Sequence, residues 1–410
     1  MRRWAGVLLA AGAACSAPSD ESQGPPPLLT QLPRTLSAPE ALVIDAGNRF
    51  GFDFFQQVRR GAPDSNLFLS PFSAAMALGM TLNGAAGTTL DSMRAALRLG
   101  SAPLGELDAS YRSVIDLLLG LDESTEFRIA NSIWADAGFP FLSEFLAAAR
   151  QSFDAEVRSL DLQAPASLAT INAWVRDKTS GKIPAILDRI DSEEVMFLIN
   201  AIYFKGKWRL LFDPKRTRSA PFHAADGTVQ NVPTMSLEPQ TLRYAFGTDY
   251  QAVELLYGNG AFALTIVLPI GGKTLAELAG RLDAARWEEW TGALHEAKLG
   301  LTLPKFRLEY KRELKDDLSA LGMRIAFDPD RADFSRMADP AAGHLFITRA
   351  TQKTFVDVNE EGTEAAAVTS IGMGVTSLPL TIEVNRPFLF VLRERLSGTI
   401  FFIGQITRIP

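Results

Sequence analysis

The chain has 410 residues, 47% of them hydrophobic, so it can bury a large core, and length alone allows one to three domains. Its formal net charge is -6 and no Lys/Arg-rich run appears, which argues against nucleic-acid binding on electrostatic grounds. Cys15 is the only cysteine, so no disulfide can form within the chain.

Met1-Arg2-Arg3 followed by the apolar stretch Trp4 to Ala14 has the form of a basic n-region and a short h-region, too short to span a bilayer permanently. It closes on Gly12-Ala13-Ala14-Cys15, which resembles a bacterial lipoprotein cleavage site, with glycine where leucine is usual. Residues 1–14 therefore read as a signal peptide and Cys15 as a lipidation site that would anchor the protein to a membrane. Ordinary cleaved export and a cytoplasmic chain are the alternatives. Acylation would add about 0.8 kcal/mol of anchoring per buried CH₂. Residues 16–34 are rich in Ser, Pro and Gly, so 15–36 is expected to be a disordered or extended tether. Ser37 and Glu40 then fit a capping box, and Leu42, Ala46, Phe50, Phe54 and Val58 follow at i+4 steps, predicting an amphipathic helix.

No later stretch looks like a linker, and no repeat is visible. Residues 37–410 are expected to form one large α+β domain of two packed subregions sharing sheets. Asn66 to Ser73 predicts a strand, a turn and a Ser-Pro helix start; an apolar helix follows to Leu82. Ile129 to Trp134 reads as a strand. Ile171 to Ile183 has helix period and a glycine stop, and its Thr179-Ser180-Gly181-Lys182 lacks the first glycine of a phosphate loop. Phe197 to Trp208 is an apolar strand carrying Asn200, an amide that needs partners because an unpaired buried one costs about 1–3 kcal/mol. Asp226-Gly227 marks a hairpin, and Phe262 to Leu268 a further strand.

Near the C-terminus, Phe355-Val356-Asp357-Val358-Asn359 alternates as a strand should, and the strand is expected to stop at Glu360-Glu361-Gly362. Read with period two, the next stretch puts Thr363, Ala365, Ala367, Thr369, Ile371, Met373 and Val375 on one face, uncharged and small at first. The other face carries Glu364, Ala366, Val368, Ser370, Gly372 and Gly374. Gly372, Gly374 and Pro379 oppose a stable helix in the distal part. A loop written like a strand implies two states, exposed first and inserted later. An Ala-rich surface helix or a flexible tether is the competing reading. A second apolar strand begins near Leu380.

Asn359 to Ala367 resembles the proximal hinge of the reactive-centre loop of inhibitory serpins, and Val384-Asn385-Arg386-Pro387-Phe388 is similar to that family's strand after the loop. Ser70-Pro71-Phe72-Ser73 and the Asn200 to Trp208 strand match further segments in the same order. The resemblance covers about 37–410. It implies an α+β fold with a large central, mostly antiparallel sheet, two further sheets, eight or nine helices and an exposed loop over about 360–380. It implies a hinge of Glu360, Glu361, Gly362, Thr363, Glu364, Ala365, Ala366 and Ala367. It also implies a hydrogen-bonded cluster of Ser70, Ser73, Asn200 and Gln352 where the sheet parts, and a group of Trp208, Lys305 and Glu360 at its top, with Lys305 paired to Glu360. Many members carry histidine where this chain has Gln352; an amide can donate and accept, but it gives no pH response. Family spacing from Gly362 puts the scissile bond at Thr376-Ser377, with Val375-Thr376 and the neighbourhood of Met373 as alternatives. No Arg or Lys lies between Glu364 and Leu380, which points to elastase-like or subtilisin-like targets. The implied function is suicide inhibition of a serine protease, with cysteine proteases as a further class, in a covalent 1:1 complex made by a monomer without cofactor. A non-inhibitory binding or carrier protein of the same fold is the alternative.

The histidines His223, His295 and His344 are scattered with no HExxH, and CxxC and GxSxG are absent, so neither a metal site nor an enzyme is expected. Glu193-Glu194 and Glu288-Glu289 read as solvated helix faces.

Overall fold

The computed structural model describes residues 25–363 and 380–410, without the side chains of Phe127, Ile129, Asn200, Ala201, Ile202 and Pro340. The described chain begins with α1 (Ala38–Gly61), β1 (Leu67–Leu69), α2 (Pro71–Leu82), α3 (Gly87–Ala96) and α4 (Leu104–Leu119). It continues through β2 (Glu126–Asp136), α5 (Ser143–Phe153), β3 (Glu156–Leu160), α6 (Pro165–Lys178) and β4 (Met196–Lys207). Four strands follow: β5 (Arg218–His223), β6 (Val229–Phe246), β7 (Tyr250–Leu256) and β8 (Phe262–Pro269). Then come α7 (Leu275–Ala279), α8 (Ala284–Gly292), β9 (His295–Pro304), β10 (Phe306–Glu313) and α9 (Lys315–Leu318). The C-terminal part holds β11 (Thr351–Asn359), β12 (Gly362–Thr363), β13 (Thr381–Glu383), β14 (Phe388–Glu394) and β15 (Ile400–Ile406).

Helix α1 starts where its cap dictates. Ser37 Oγ accepts the Glu40 N–H at 3.4 Å, and Glu40 Oε2 accepts the Ser37 N–H at 2.7 Å. The Arg34 guanidinium, 2.6 Å from Glu40, holds that carboxyl down at about 2. Ala46, Phe50, Phe54 and Val58 are buried as their spacing predicts, but Leu42 is 37% exposed. Each i+4 step drifts by about 40° on a 3.6-residue turn, so a stripe centred on Phe50 and Phe54 loses Leu42 and takes Val43 instead.

Two hydrogen-bonded sheets form the body. A six-stranded sheet runs β10-β11-β12-β4-β2-β3, antiparallel except between β2 and β3. The other two expected sheets are joined into one nine-stranded network, β1-β15-β14-β8-β7-β6-β9-β13 with β5 on β6. The long strand β6 links them: its pairing with β9 shifts register between Leu237 and Gln240, an irregularity of the kind that lets one strand serve two sheets. The Asp226-Gly227 turn joins β5 to β6, with Gly227 at φ +82°. Helix α6 lies on the outer face of the six-stranded sheet, where Trp134, Ile171, Trp174, Val175, Phe197 and Ile199 form a separate apolar cluster. The main core lies on the inner face, where Phe306 packs edge-on to Phe390 at 5.4 Å.

Of the disordered or extended tether expected over 15–36, residues 25–36 are described; they pack on the core through Leu29, Leu32 and Leu36, and the Leu29 N–H donates to Asn259 O at 2.7 Å. One expectation fails here. Glu194 is not on a solvated helix face. It is 4% exposed in a connection, where its carboxylate accepts from Arg349 and from the Asp191 N–H, both within 3 Å. Glu288 and Glu289 do sit exposed on α8.

Candidate functional site

Strands β11 and β4 frame the site. Both pair with β12 and, among the described residues, no ladder joins them to each other. Val358 stands opposite Thr363 and Asn359 opposite Gly362 on one side; Gly206 stands opposite Thr363 and Lys207 opposite Gly362 on the other. Since β12 is antiparallel to both, β11 and β4 run parallel, and among the described residues β12 alone pairs with both, at the top of the seam between them.

The turn that delivers β12 is fixed at every carbonyl. The Trp208 indole donates to Asn359 O at 2.9 Å, the Phe212 N–H to Glu360 O at 3.0 Å, and the Trp208 N–H to Glu361 O at 2.8 Å. Lys305 Nζ lies 2.8 Å from Glu360 Oε2, and Thr217 Oγ1 donates to Glu360 Oε1 at 2.7 Å. Gly362 has φ +148°, and a Cβ there would lie 1.9 Å from Gly206 O, so glycine is required by both conformation and space. Thr363 is buried, and its hydroxyl meets the Tyr257 hydroxyl at 3.0 Å. Tyr257 stacks on Trp208 at 4.4 Å, and burial pushes its phenol far above the usual range.

Lower in the seam, the Gln352 amide is used on both ends. Its Oε1 accepts the Ser70 N–H at 2.9 Å and its Nε2 donates to Ser70 O at 2.8 Å. Ser70 Oγ donates to Phe401 O at 2.8 Å and accepts the Ser73 N–H, and Thr354 Oγ1 donates to Phe68 O at 2.6 Å. The structure thus brings Ser70, Ser73 and Gln352 together. Asn200 stands on β4 opposite Asn131, but its side chain lies outside the described residues. A cavity of about 250 Å³ opens at the foot of the seam, walled by Ala77 and Leu78 of α2, Met196 and Leu198 of β4, and Leu345 and Ile347.

Of the expected hinge, Glu360, Glu361, Gly362 and Thr363 are described; Glu364, Ala365, Ala366 and Ala367 lie outside the described residues, as do Thr376, Ser377 and Cys15. The sequence reading did not single out Tyr257, Thr217 or Thr354. Thr354 was findable, because it lies two and four residues before the inward Val356 and Val358. Nothing in the Tyr257-Gly258-Asn259-Gly260 stretch distinguishes a core tyrosine from one touching the hinge. His223, His295 and His344 are exposed, and no described group of three or more His, Cys, Asp or Glu side chains could hold a metal.

Burial raises the affinity of the Glu360 carboxyl for its proton, but the bonds from Lys305 and Thr217 outweigh that and hold it below the usual range. A depressed folded value stabilises the turn above the unfolded carboxylate value of about 4.3, and that contribution disappears as pH falls through the folded value. Acid melting curves should therefore show a loss of stability below about pH 4.3 that is smaller in Glu360→Gln. Equal acid slopes in both proteins would contradict this.

The chain was compared with known proteins. Residues 45–409 match the family model described as Serpin (serine protease inhibitor). The leukocyte elastase inhibitor of Bos taurus is 34% identical over 378 residues, covering 88% of this chain and 98% of that one. Among solved structures, the thermophilic serpin tengpin in its native state is similar at TM-score 0.81 and 28% identity, covering 94% of this chain and 98% of that one. Human thyroxine-binding globulin in complex with its ligand is similar at TM-score 0.83 and 25% identity, covering 91% and 100%. The match over nearly the whole folded chain, with the fold described above, makes this protein a member of the serpin family, whose members are inhibitors and carriers rather than enzymes.

Proposed function

We propose that this chain inhibits serine proteases as a suicide substrate, with cysteine proteases as a further target class. The observation that carries the reading is the seam between β11 and β4, which among the described residues only β12 enters, at its top. Carried downward at the register of β12, Ala365 would stand opposite Phe204 and Val356, and Ala367 opposite Ile202 and Thr354. Thr369 would reach Asn200 and Gln352, and Ile371 and Met373 would stand opposite Leu198 and Met196 at the cavity wall. Thr363 is buried beside the fully buried Val358, so the odd-numbered residues would face inward and Glu364 outward. A protease that attacks the loop forms an acyl-enzyme. Cleavage, at Thr376-Ser377 by family spacing, frees the hinge end. Insertion then carries the acylated protease across the molecule before water can release it. Small apolar residues before the bond support elastase-like or subtilisin-like targets.

Thr363→Arg and Ala365→Arg should each convert inhibitor into substrate, since an unpaired charge on the inward face costs on the order of several kcal/mol. An SDS-stable complex with elastase or subtilisin at wild-type stoichiometry would overturn the insertion mechanism. Mass spectrometry of the released C-terminal peptide locates the cleaved bond.

The likeness to thyroxine-binding globulin favours a carrier as the second reading. Heating separates the two. An inhibitor whose loop inserts melts well above its intact form after a single nick in the loop, whereas a carrier with an inert loop melts unchanged.

The proposal includes export, with Cys15 acylated and the protein held at a membrane, and secretion as the alternative. Labelled palmitate should enter the wild-type protein and not Cys15→Ser; labelling of both, or of neither, refutes the anchor.

A further inference from the structure

The chain before α1 meets the body at one pole. Pro26 O accepts from Arg209 Nη1 at 2.5 Å, and the Leu29 N–H donates to Asn259 O at 2.7 Å. Arg209 Nη1 also donates to Gly258 O at 3.0 Å, and its N–H to Leu256 O at 2.7 Å. The chain therefore arrives beside the turn 257–260 between β7 and β8, and Pro25, the first described residue, is exposed. The hinge leaves the body at the same pole. Arg209 follows directly on Trp208, whose N–H holds Glu361 O and whose indole holds Asn359 O. Neighbouring Cα atoms are about 3.8 Å apart, so the residue that fixes Pro26 and the residue that fixes Glu361 stand side by side. The foot of the seam is at the other end of β4. That strand has 12 residues, which puts Met196 about 36 Å from Lys207.

The two ends of β4 also differ in charge. Beside the hinge, Lys207, Lys215, Arg216 and Arg218 are exposed. Arg216 is paired with Glu238; among the described residues, Lys207, Lys215 and Arg218 make no ion pair. At the foot, Asp188, Asp191 and Glu193 are exposed, the first two paired with Lys311 and Arg189. A chain of net charge -6 thus turns free cations to one pole only. An anionic bilayer attracts such a pole and repels the other, within the short range that salt permits.

The length of chain before Pro26 acts in the same sense. The eleven links from Cys15 to Pro26 span at most about 36–40 Å when fully drawn out. A body anchored at Cys15 with its hinge pole toward the bilayer needs little of that length. Turned foot-down, it would use all of it in running the length of β4. Full extension removes the conformations that slack retains, so chain entropy opposes the second arrangement.

We infer that the hinge pole is a membrane-facing surface. Its free Lys and Arg side chains meet anionic phospholipid headgroups, and the loop is presented to proteases at work on that same membrane. This inference rests on the acylation of Cys15 proposed above.

The test uses the acylated full-length protein on vesicles of phosphatidylcholine and phosphatidylglycerol. Once Cys15 is acylated, Ser219→Cys and Ser192→Cys each carry one free thiol, the first beside Arg218 at the hinge pole and the second at the foot. Each is given a donor dye, and energy transfer to an acceptor-labelled lipid is measured. Transfer from residue 219 should exceed transfer from residue 192 by at least about twofold, given the length of β4 between them. Adding Lys215→Glu/Arg218→Glu should reduce that ratio. Thirty Gly and Ser residues inserted after Ser19 should lower the rate of trapping elastase adsorbed on the vesicles, relative to free elastase, by about fivefold. If the protein stays on the vesicles but residue 192 gives equal or greater transfer, the orientation is overturned and the anchor stands. An unchanged trapping ratio overturns the presentation of the loop at the surface. If wild-type protein takes up no palmitate and leaves the vesicles, the anchor is absent and both readings fall.

Discussion

Everything in this fold is arranged about two parallel strands that, among the described residues, share no ladder. β11 and β4 each present an edge to the same seam, and only Gly362 and Thr363 bridge them. A strand that is antiparallel to both can pair on two sides at once, as Gly362 and Thr363 do. The energetics of the proposed insertion follow. Each ladder bond contributes about 0.5–1.5 kcal/mol, while fixing each residue's backbone costs about 1–2 kcal/mol. Pairing and ordering therefore nearly cancel, and side-chain burial must decide. Ala365 and Ala367 would add little; their service in the proposed insertion would be to enter without overpacking. Ile371 and Met373, aimed at an apolar cavity and contributing about 1.5–3 kcal/mol each when buried, would supply the drive. In the proposed insertion the two halves of the segment would thus have separate duties, passage first and stabilisation after.

The proposed insertion would need a pivot that does not move. The Asn359–Gly362 turn is built as one, since the carbonyls of residues 359, 360 and 361 each have a donor and Glu360 is held by Lys305 and Thr217. Trp208 serves twice, through indole and backbone, and is itself stacked on Tyr257. Rigidity at this point lets a hinge glycine adopt a φ closed to other residues without loosening the chain on either side.

How far the sequence could be read depended on the kind of interaction involved. The Ser37–Glu40 cap, the period-two strand at 355–359 and the glycine at 362 were legible because each is a local rule with a local cause. The pairing of Lys305 with Glu360, 55 positions apart in sequence, was reached by resemblance alone, since no local rule connects them. That residues 25–36 pack on the fold was not legible, because their attachment uses backbone carbonyls and distant arginines, which composition does not reveal. The joining of the nine-stranded network through β6 was equally hidden, because a register shift leaves no mark in hydrophobic alternation.

Gln352 leaves the middle of the seam with an amide, a group that carries no charge to gain or lose. In the cluster of Ser70, Ser73, Thr354 and Gln352, no side chain changes charge at physiological pH, and the amide makes its two bonds to Ser70 in one fixed orientation. The middle of the seam is therefore indifferent to mild acidification, whereas a histidine there would gain a proton and lose an acceptor between about pH 5 and 8. In the loop-bearing turn, the Glu360 carboxyl is held below the usual range by its partners, so its contact with Lys305 persists through mild acid. Under the proposed mechanism, in which the sheet would open only after a protease cuts the loop, falling pH alone would give it no reason to open.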